Sequence, residues 1–485
     1  MSGGIGQLHQ QVTIGFLPDD VLLKILKFFI DDGPWFTLIH ICRRWRNLAF
    51  TSPRHLNLEL FCNPLRKSVK ELVDIWPELP IYIWDVDFQY ASKECVDYIA
   101  AVLRLNHRVS GIYFDNTEAP EWEIFEPLMH QPFPVLKRLW LQPHASGIMN
   151  GVSLSFLGGS APCLRDLTLV RVSFPALPEL LLSATNLVNI TYAIVSRSGY
   201  ISPQAMVTGL SALTRLESLS LTFRSPGDLP ARAIQITPPD TRTLLPSLTD
   251  LRSNSSSEYI EDFVAQIDTP LLESVQITLF NQEVLEVSEL SKFLCRADKL
   301  SLPNQAEVLL TSDSISITLS PKLLLGKTDT ETLMLNLRCD ESALRLSYLA
   351  QFYASFLPTL SPFESLHIDV SKYRTWRDVI DNPDPRWMEL LRLFNTVKDL
   401  LLSKTVAHHV AQALRGLQVE QVTEVLPALE GVYISELEPS GPVWEAISEF
   451  ADARQLSGHP VSIYDWKGEV YYSIQSKEMD QGVDD

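Results

Sequence analysis

The stretch LGKTDT, Leu325 to Thr330, ends the way a phosphate-cradling loop ends, with glycine, lysine and threonine in a row. Such a loop needs a second glycine five positions before Gly326, so that successive backbone N–H groups can wrap a phosphate. Pro321 stands there, with a fixed φ and no N–H to offer, and the loop is excluded. His408 and His409 form an adjacent pair, yet neighbours on a helix diverge by about 100° and no carboxylate lies at ligand spacing. The pair reads as solvated surface. The cysteines, Cys42, Cys62, Cys95, Cys163, Cys295 and Cys339, contain no CxxC spacing, so neither a zinc ribbon nor a disulfide framework is indicated, and they read as reduced core residues. No GxSxG, HExxH or GxGxxG pattern occurs. The expectation is a chain without catalytic residues, metal or cofactor.

What remains is binding. The formal net charge of −19 is uneven. In residues 1–60 six basic side chains (Lys24, Lys27, Arg43, Arg44, Arg46, Arg54) face five acidic ones, leaving +1 there and −20 in the rest. That balance repels nucleic acid and anionic lipid and favours basic or neutral protein partners. No run reaches the roughly 18 apolar residues of a membrane span, so the expectation is a cytoplasmic or nuclear protein. With 46% hydrophobic and 20% charged residues, the chain can bury a large core.

The elements that position binding residues begin with LPDDVLLKILKFFIDDGPWFTLIHICRRWRNLA, Leu17 to Ala49. Pro18 suits a first helical turn, and Asp19 and Asp20 place negative charge at the positive end of the helix dipole. Val21, Leu22, Ile25, Leu26 and Phe29 then form one apolar stripe, and DDGP ends the helix. Beyond the turn, Leu38, Ile41, Trp45 and Leu48 make a second stripe, with Ile39, Cys42 and Ala49 beside it and Arg43, Arg44 and Arg46 on the polar side. Two apolar faces exceed what so small a unit needs for its own core, so the rest of the chain or a partner must cover one of them.

The order Leu17-Pro18, the Leu22/Ile25/Leu26 stripe, and then Ile41-Cys42-Arg43-Arg44-Trp45-Arg46 with Leu48-Ala49 resembles an F-box. The middle, FIDDGPWFTLI, is more apolar than is usual in that family. The resemblance implies a helical hook that docks on the adaptor subunit of a cullin-RING (SCF-type) ubiquitin ligase. It implies an adaptor surface made of Leu17, Pro18, Leu22, Ile25, Leu26, Leu38, Ile41, Cys42, Trp45 and Leu48. The cullin would be reached indirectly, and the rest of the chain would hold an unknown protein substrate.

That rest contains a recurring apolar-x-x-apolar-x-apolar block, often preceded by proline. It appears as PVLKRLWL (Pro134 to Leu141), PCLRDLTL (Pro162 to Leu169), TNLVNITY (Thr185 to Tyr192) and TRLESLSL (Thr214 to Leu221), and later as PLLESVQI, PFESLHI and PALEGVYI. Leu136, Leu164, Leu187 and Leu216 are 28, 23 and 29 residues apart, room for a strand, a loop and a helix. Helical returns are predicted at Ala205 to Thr214, Glu258 to Ile267 and Glu286 to Cys295; between Leu300 and Leu360 the period fails, and the alternation in SISITLS predicts sheet. The block resembles the strand of a leucine-rich repeat without its usual asparagine. The whole layout is similar to fungal F-box proteins with degenerate leucine-rich repeats.

The fold class expected is therefore α/β: a short helical hook followed by an irregular leucine-rich-repeat-like solenoid. The expected organisation is a flexible N-terminus over 1–13, the F-box module over 14–52, the array over 53–470 and an acidic tail over 471–485. If Leu139 and Leu141 point inward, a period of two turns Arg138 and Trp140 outward, and the same register exposes Thr168, Thr191, Ser220, Gln276, His367 and Tyr433. Those eight are the expected substrate-binding residues, with Trp140 and Tyr433 as anchors. Arg138 alone cannot supply the clustered guanidinium groups that phosphate recognition needs, so substrate recognition without phosphorylation is expected. The alternative is a non-catalytic repeat scaffold whose F-box serves a ligase-independent interaction.

Overall fold

The computed structural model describes residues 17–32, 41–51, 60–62, 79–87, 92–144, 147, 149, 152–225, 227, 229, 241–280, 287–297, 299–300, 304–311, 314–320, 333–338, 345–356, 363–370, 386–415, 417, 421–438, 440–465 and 470–472. The chain divides into two compact units, residues 1–145 with 155–161, and residues 146–154 with 162–485.

The first unit opens on a helical pair, Asp19–Asp32 and Arg43–Thr51, and continues in a parallel sheet. The sheet runs β1 (Leu60–Cys62), β2 (Ile81–Asp87), β3 (Val109–Thr117) and β4 (Arg138–Pro143), each paired with the next. Parallel neighbours need a crossover. The helices Lys93–Leu103 and Ala119–Met129 supply those between β2 and β3 and between β3 and β4. The first of them starts at Ser92, whose hydroxyl accepts from the Cys95 N–H at 3.4 Å, and the second has a proline in its opening turn.

The second unit repeats the same motif. Strands β5 (Asp166–Val170), β6 (Asn189–Val195), β7 (Ser218–Phe223), β9 (Asp250–Ser255) and β11 (Ser274–Leu279) lie parallel in that order. A short pair, β8 (Thr243–Leu244) with β10 (Ile267–Asp268), stands apart from them. At the far end β15 (Ser365–Val370), β16 (Asp399–Leu402), β17 (Gly431–Ile434) and β18 (Ser462–Asp465) continue in parallel, and β19 (Val470–Tyr472) turns back antiparallel on β18. Helices return the chain between strands, and consecutive ones pack on each other, as Leu177–Ser183 does on Pro203–Leu210. The architecture is a mixed α/β solenoid in which most of the described repeats consist of a strand, a turn and a helix.

Where the sequence period fails, the topology changes. Strands β12 (Gln305–Leu310), β13 (Ser314–Ser320) and β14 (Leu333–Arg338) are inserted in reverse order: β14 pairs with β11, β13 lies antiparallel between β14 and β12, and β12 pairs with β15. The link between β12 and β13 is residues 311–313, closed by the Thr311 N–H on the Ser314 carbonyl at 2.9 Å. A connection that short makes a hairpin and cannot make a parallel crossover. The alternation of SISITLS buries Ile315, Ile317 and Leu319 on the same side as the neighbouring strands, so the insertion keeps the core continuous.

The inward residues are those the alternation predicts: Leu139, Leu141, Leu167, Leu169, Leu219 and Leu221 are buried. Each such leucine contributes roughly 1.5–3 kcal/mol from area removed from water. Without the usual asparagine, side chains in the turn before a strand reach back one repeat. Asn186 donates to the Pro162 carbonyl at 2.8 Å, Ser247 to that of Thr214 at 2.8 Å, and Thr396 to that of Phe363 at 3.1 Å.

Helix positions shift by a few residues from the expectation. Ser202 caps the Ala205 N–H and Pro203 opens the turn, so that helix runs Pro203–Leu210. Ser256 caps Tyr259 in the Ser257–Val264 helix, and Ile267 lies in β10. The third runs Ser288–Arg296. Two side-chain expectations are corrected. His409 is buried and stacks on Trp387, ring centroids 6.4 Å apart and 12° from parallel, while His408 bonds Gln412 at 3.0 Å. Of the cysteines, Cys95 is buried and burial pushes its thiol up, but Cys42, Cys163 and Cys295 are exposed. The loop 325–330 and Cys339 lie outside the described residues.

Candidate ligand-binding surface

In the N-terminal helical pair, Arg44 joins the two helices. Its Nε donates to Asp19 at 3.0 Å and its Nη2 to the Leu17 carbonyl at 2.7 Å. Leu22, Leu26 and Trp45 are buried, Trp45 only 2% exposed. The surface placement expected for these three is corrected, because in so small a helical unit the largest apolar side chains are drawn into the chain's own core. Leu17, Ile25 and Leu48 are half-buried, Pro18, Cys42 and Ile41 are exposed, Ile41 by 56%, and Leu38 lies outside the described residues. The pair therefore shows Pro18, Ile41 and Cys42 to solvent.

The second unit brings six of the expected substrate-binding residues into one row. Thr168, Thr191, Ser220, Arg252 and Gln276 stand side by side on β5, β6, β7, β9 and β11. The same row passes through Met334, Thr318 and Glu307 of the inserted strands, and on through His367, Leu401, Tyr433 and Tyr464. Apart from the buried Leu401 and the exposed Arg252 these side chains are half-buried, as an outward-facing row on a pleated sheet should be. Arg252 pairs with Asp250 at 3.2 Å, and His367 Nδ1 lies 3.3 Å from Glu307.

In the first unit, Arg138 and Trp140 are the outward residues of β4 and belong to an aromatic patch. Trp140 stacks on Tyr113 of β3 at 5.1 Å, Tyr113 lies 5.7 Å from Trp84 of β2, and Trp84 meets Tyr82 edge-on at 5.3 Å. Trp84 is 47% exposed. The Arg138 guanidinium covers the Tyr82 ring at 4.5 Å. Tyr82, Gly111 and Arg138 share one register, and a Cβ on Gly111 would lie 2.1 Å from the Tyr82 ring, so only glycine lets that ring lie across β3.

At the end of the second unit, Tyr433 and Tyr464 stack at 4.7 Å and 13°. Asp399 shares a hydrogen bond with Tyr433 and receives one from Ser365 at 3.5 Å. Burial, followed by repulsion from Glu430, pushes the Asp399 carboxyl above the usual carboxylate range. Burial, and then the Asp399 charge, pushes the Tyr433 phenol up as well. Among the described residues no group of His, Cys, Asp and Glu has the arrangement to hold a metal, and no helix is long and apolar enough to cross a membrane. The arrangement offers stacking faces, hydroxyls and carboxylates, which suits non-covalent recognition.

The sequence reading missed Tyr82, Trp84, Tyr113, Arg252, Asp399 and Tyr464. The signals were present: IYIWD and GIYFD alternate as strands, and PSLTDLRS and NTVKDLLL carry the repeat block with serine or leucine in unexpected places.

No family model matches the chain, and no curated protein matches it. Among solved structures, the leucine-rich repeat-containing protein LegL7 from Legionella pneumophila is similar at 14% identity, covering 77% of this chain and 99% of that one, with a TM-score of 0.27.

Proposed function

We propose that the chain is a non-catalytic receptor that holds a protein ligand on the outward face of its strands, and that its N-terminal helical pair presents the ligand to the adaptor of a cullin-RING ubiquitin ligase. The observation that carries the first half is the continuous row from Thr168 to Tyr464, an extended surface of hydroxyl, amide and aromatic groups built on rigid strands. Repeat arrays use such surfaces for binding, because each strand contributes one position to a shared face. The second half rests on the F-box-like order of residues and on Pro18, Ile41 and Cys42 standing exposed on a two-helix unit. A few apolar anchors on a short helical unit suffice to dock it in a partner's groove. The chemistry such a receptor supplies is effective concentration.

Co-purification of the full chain with adaptor and cullin tests the ligase half. The expected result is a complex that P18A together with I41A abolishes. If both forms leave the adaptor behind, the alternative of a ligase-independent scaffold stands instead.

A further inference from the structure

Around Gly431 the strands bring a carboxylate and a phenol together, and among the described residues no salt bridge reaches that carboxylate. Asp399, Gly431 and Ser462 share one register, and Leu401, Tyr433 and Tyr464 share the next outward one. A Cβ on Gly431 would lie 2.9 Å from the Tyr433 ring and 3.0 Å from Asp399 Oδ1, so glycine is what lets the ring fold back to the carboxylate. Glu430 and Glu364 flank Asp399, and the nearby Lys398 is engaged with Glu364 at 2.7 Å. Among the described residues no salt bridge reaches Asp399, although the Lys398 charge held by Glu364 also acts on it, and no cation lies over Tyr433 or Tyr464. A half-buried carboxylate in that setting holds its charge at a cost, which a partner's cation would remove.

The chain shows elsewhere what fits such a notch. At Gly111 a tyrosine ring likewise lies against a glycine, and there the chain's own Arg138 covers it. Resting on the receptor reading above, we propose that the notch formed by Asp399, Gly431, Tyr433 and Tyr464 takes an arginine of a basic protein segment, its guanidinium stacked on the tyrosine pair and paired with Asp399. Arginine fits better than lysine because its planar fork can stack and hydrogen-bond a carboxylate at once. The chain's net charge of −19 adds long-range attraction for a basic segment.

The test is fluorescence anisotropy of a labelled peptide of alternating glycine and arginine on the full chain, beside its glycine–lysine counterpart. D399N should weaken the arginine peptide about tenfold or more, as loss of a charged partner does. Y464A should weaken it severalfold, and the lysine peptide should bind more weakly than the arginine peptide. D97N changes net charge equally at an exposed position far along the sequence and should leave binding unchanged. Circular dichroism verifies that each variant folds, and Y464A keeps the test open if D399N does not. Equal weakening by D399N and D97N, full affinity in Y464A, or equal binding of the two peptides overturns the proposal. None of these outcomes touches adaptor co-purification, so a failed arginine notch and a failed ligase reading are told apart.

Discussion

The Glu261 carboxylate caps the helix that follows its own, accepting the Leu290 N–H at 2.8 Å. It also accepts the Glu289 N–H at 2.7 Å and the Ser288 hydroxyl at 3.4 Å. The residue at the N-cap of the Ser288–Arg296 helix is Val287, which has no side-chain acceptor, so the preceding repeat supplies one. E261A strips two backbone donors of their partner and should cost about 1–3 kcal/mol. Urea unfolding measures it; an unchanged midpoint would show that the cap contributes nothing.

The same carboxyl should also leave a mark on pH dependence. Burial raises its pKa above 4.5, against the opposing pull of the Leu290 and Glu289 N–H groups. A carboxyl that holds its proton more tightly folded than unfolded favours the fold below its unfolded pKa and gives that up as pH rises through the folded value. E261Q cannot titrate. The stability of the wild type relative to E261Q should therefore fall as pH rises from 4.5 and level off above the folded pKa. A flat difference in urea midpoints over that range would contradict it.

Gly111 tests the aromatic patch. In G111A the new methyl meets the Tyr82 ring, which must leave its place beneath Arg138. Overpacking of this kind costs about 1–3 kcal/mol. Because Trp84 and Trp140 belong to the same patch, the displacement should change tryptophan fluorescence and near-UV circular dichroism. Spectra identical to the wild type would mean that the ring does not depend on this glycine.

Most of the solenoid was legible because a period of two is imposed by backbone geometry. Once Leu139 and Leu141 are inward, Arg138 and Trp140 have no other side to occupy, and the same reasoning placed Thr168, Thr191, Ser220, Gln276, His367 and Tyr433 in their row. Pairing between distant strands has no such local signature. Nothing around Leu333 announces that it will pair with Val275, because the choice was made by a short link at 311–313 that closed a hairpin. The burial of His409 was hidden for a related reason. A histidine in an amphipathic helix becomes core only when a ring such as Trp387, 22 positions earlier in the sequence, comes to lie against it. Trp45 followed the helical stripe correctly, but periodicity cannot say whether an apolar stripe meets a partner or its own chain.

That distinction decides how the helical pair should be probed. W45A removes a buried indole and should cost about 3–5 kcal/mol, so loss of a partner in that variant would report unfolding. P18A with I41A alters exposed side chains and should shift stability by no more than about 0.5 kcal/mol. Thermal unfolding of the two variants should separate them by several degrees. Equal melting temperatures would show that Trp45 is not part of the core.

Recognition on the strand face should not depend on phosphate. A phosphorylated motif is read by clustered guanidinium groups that form charge-assisted, paired hydrogen bonds. Arg138 is committed to the Tyr82 ring and Arg252 to Asp250. Arg338, at the exposed end of β14, stands on a different strand from both, and Glu307, Asp369 and Asp399 on the same face repel a phosphate. A protein captured by the full chain should therefore remain bound, in equal amount, when the lysate is treated with phosphatase before capture. Loss of that protein after dephosphorylation would mean that a phosphate is read on this face, and would remove the charge argument for a basic ligand along with it.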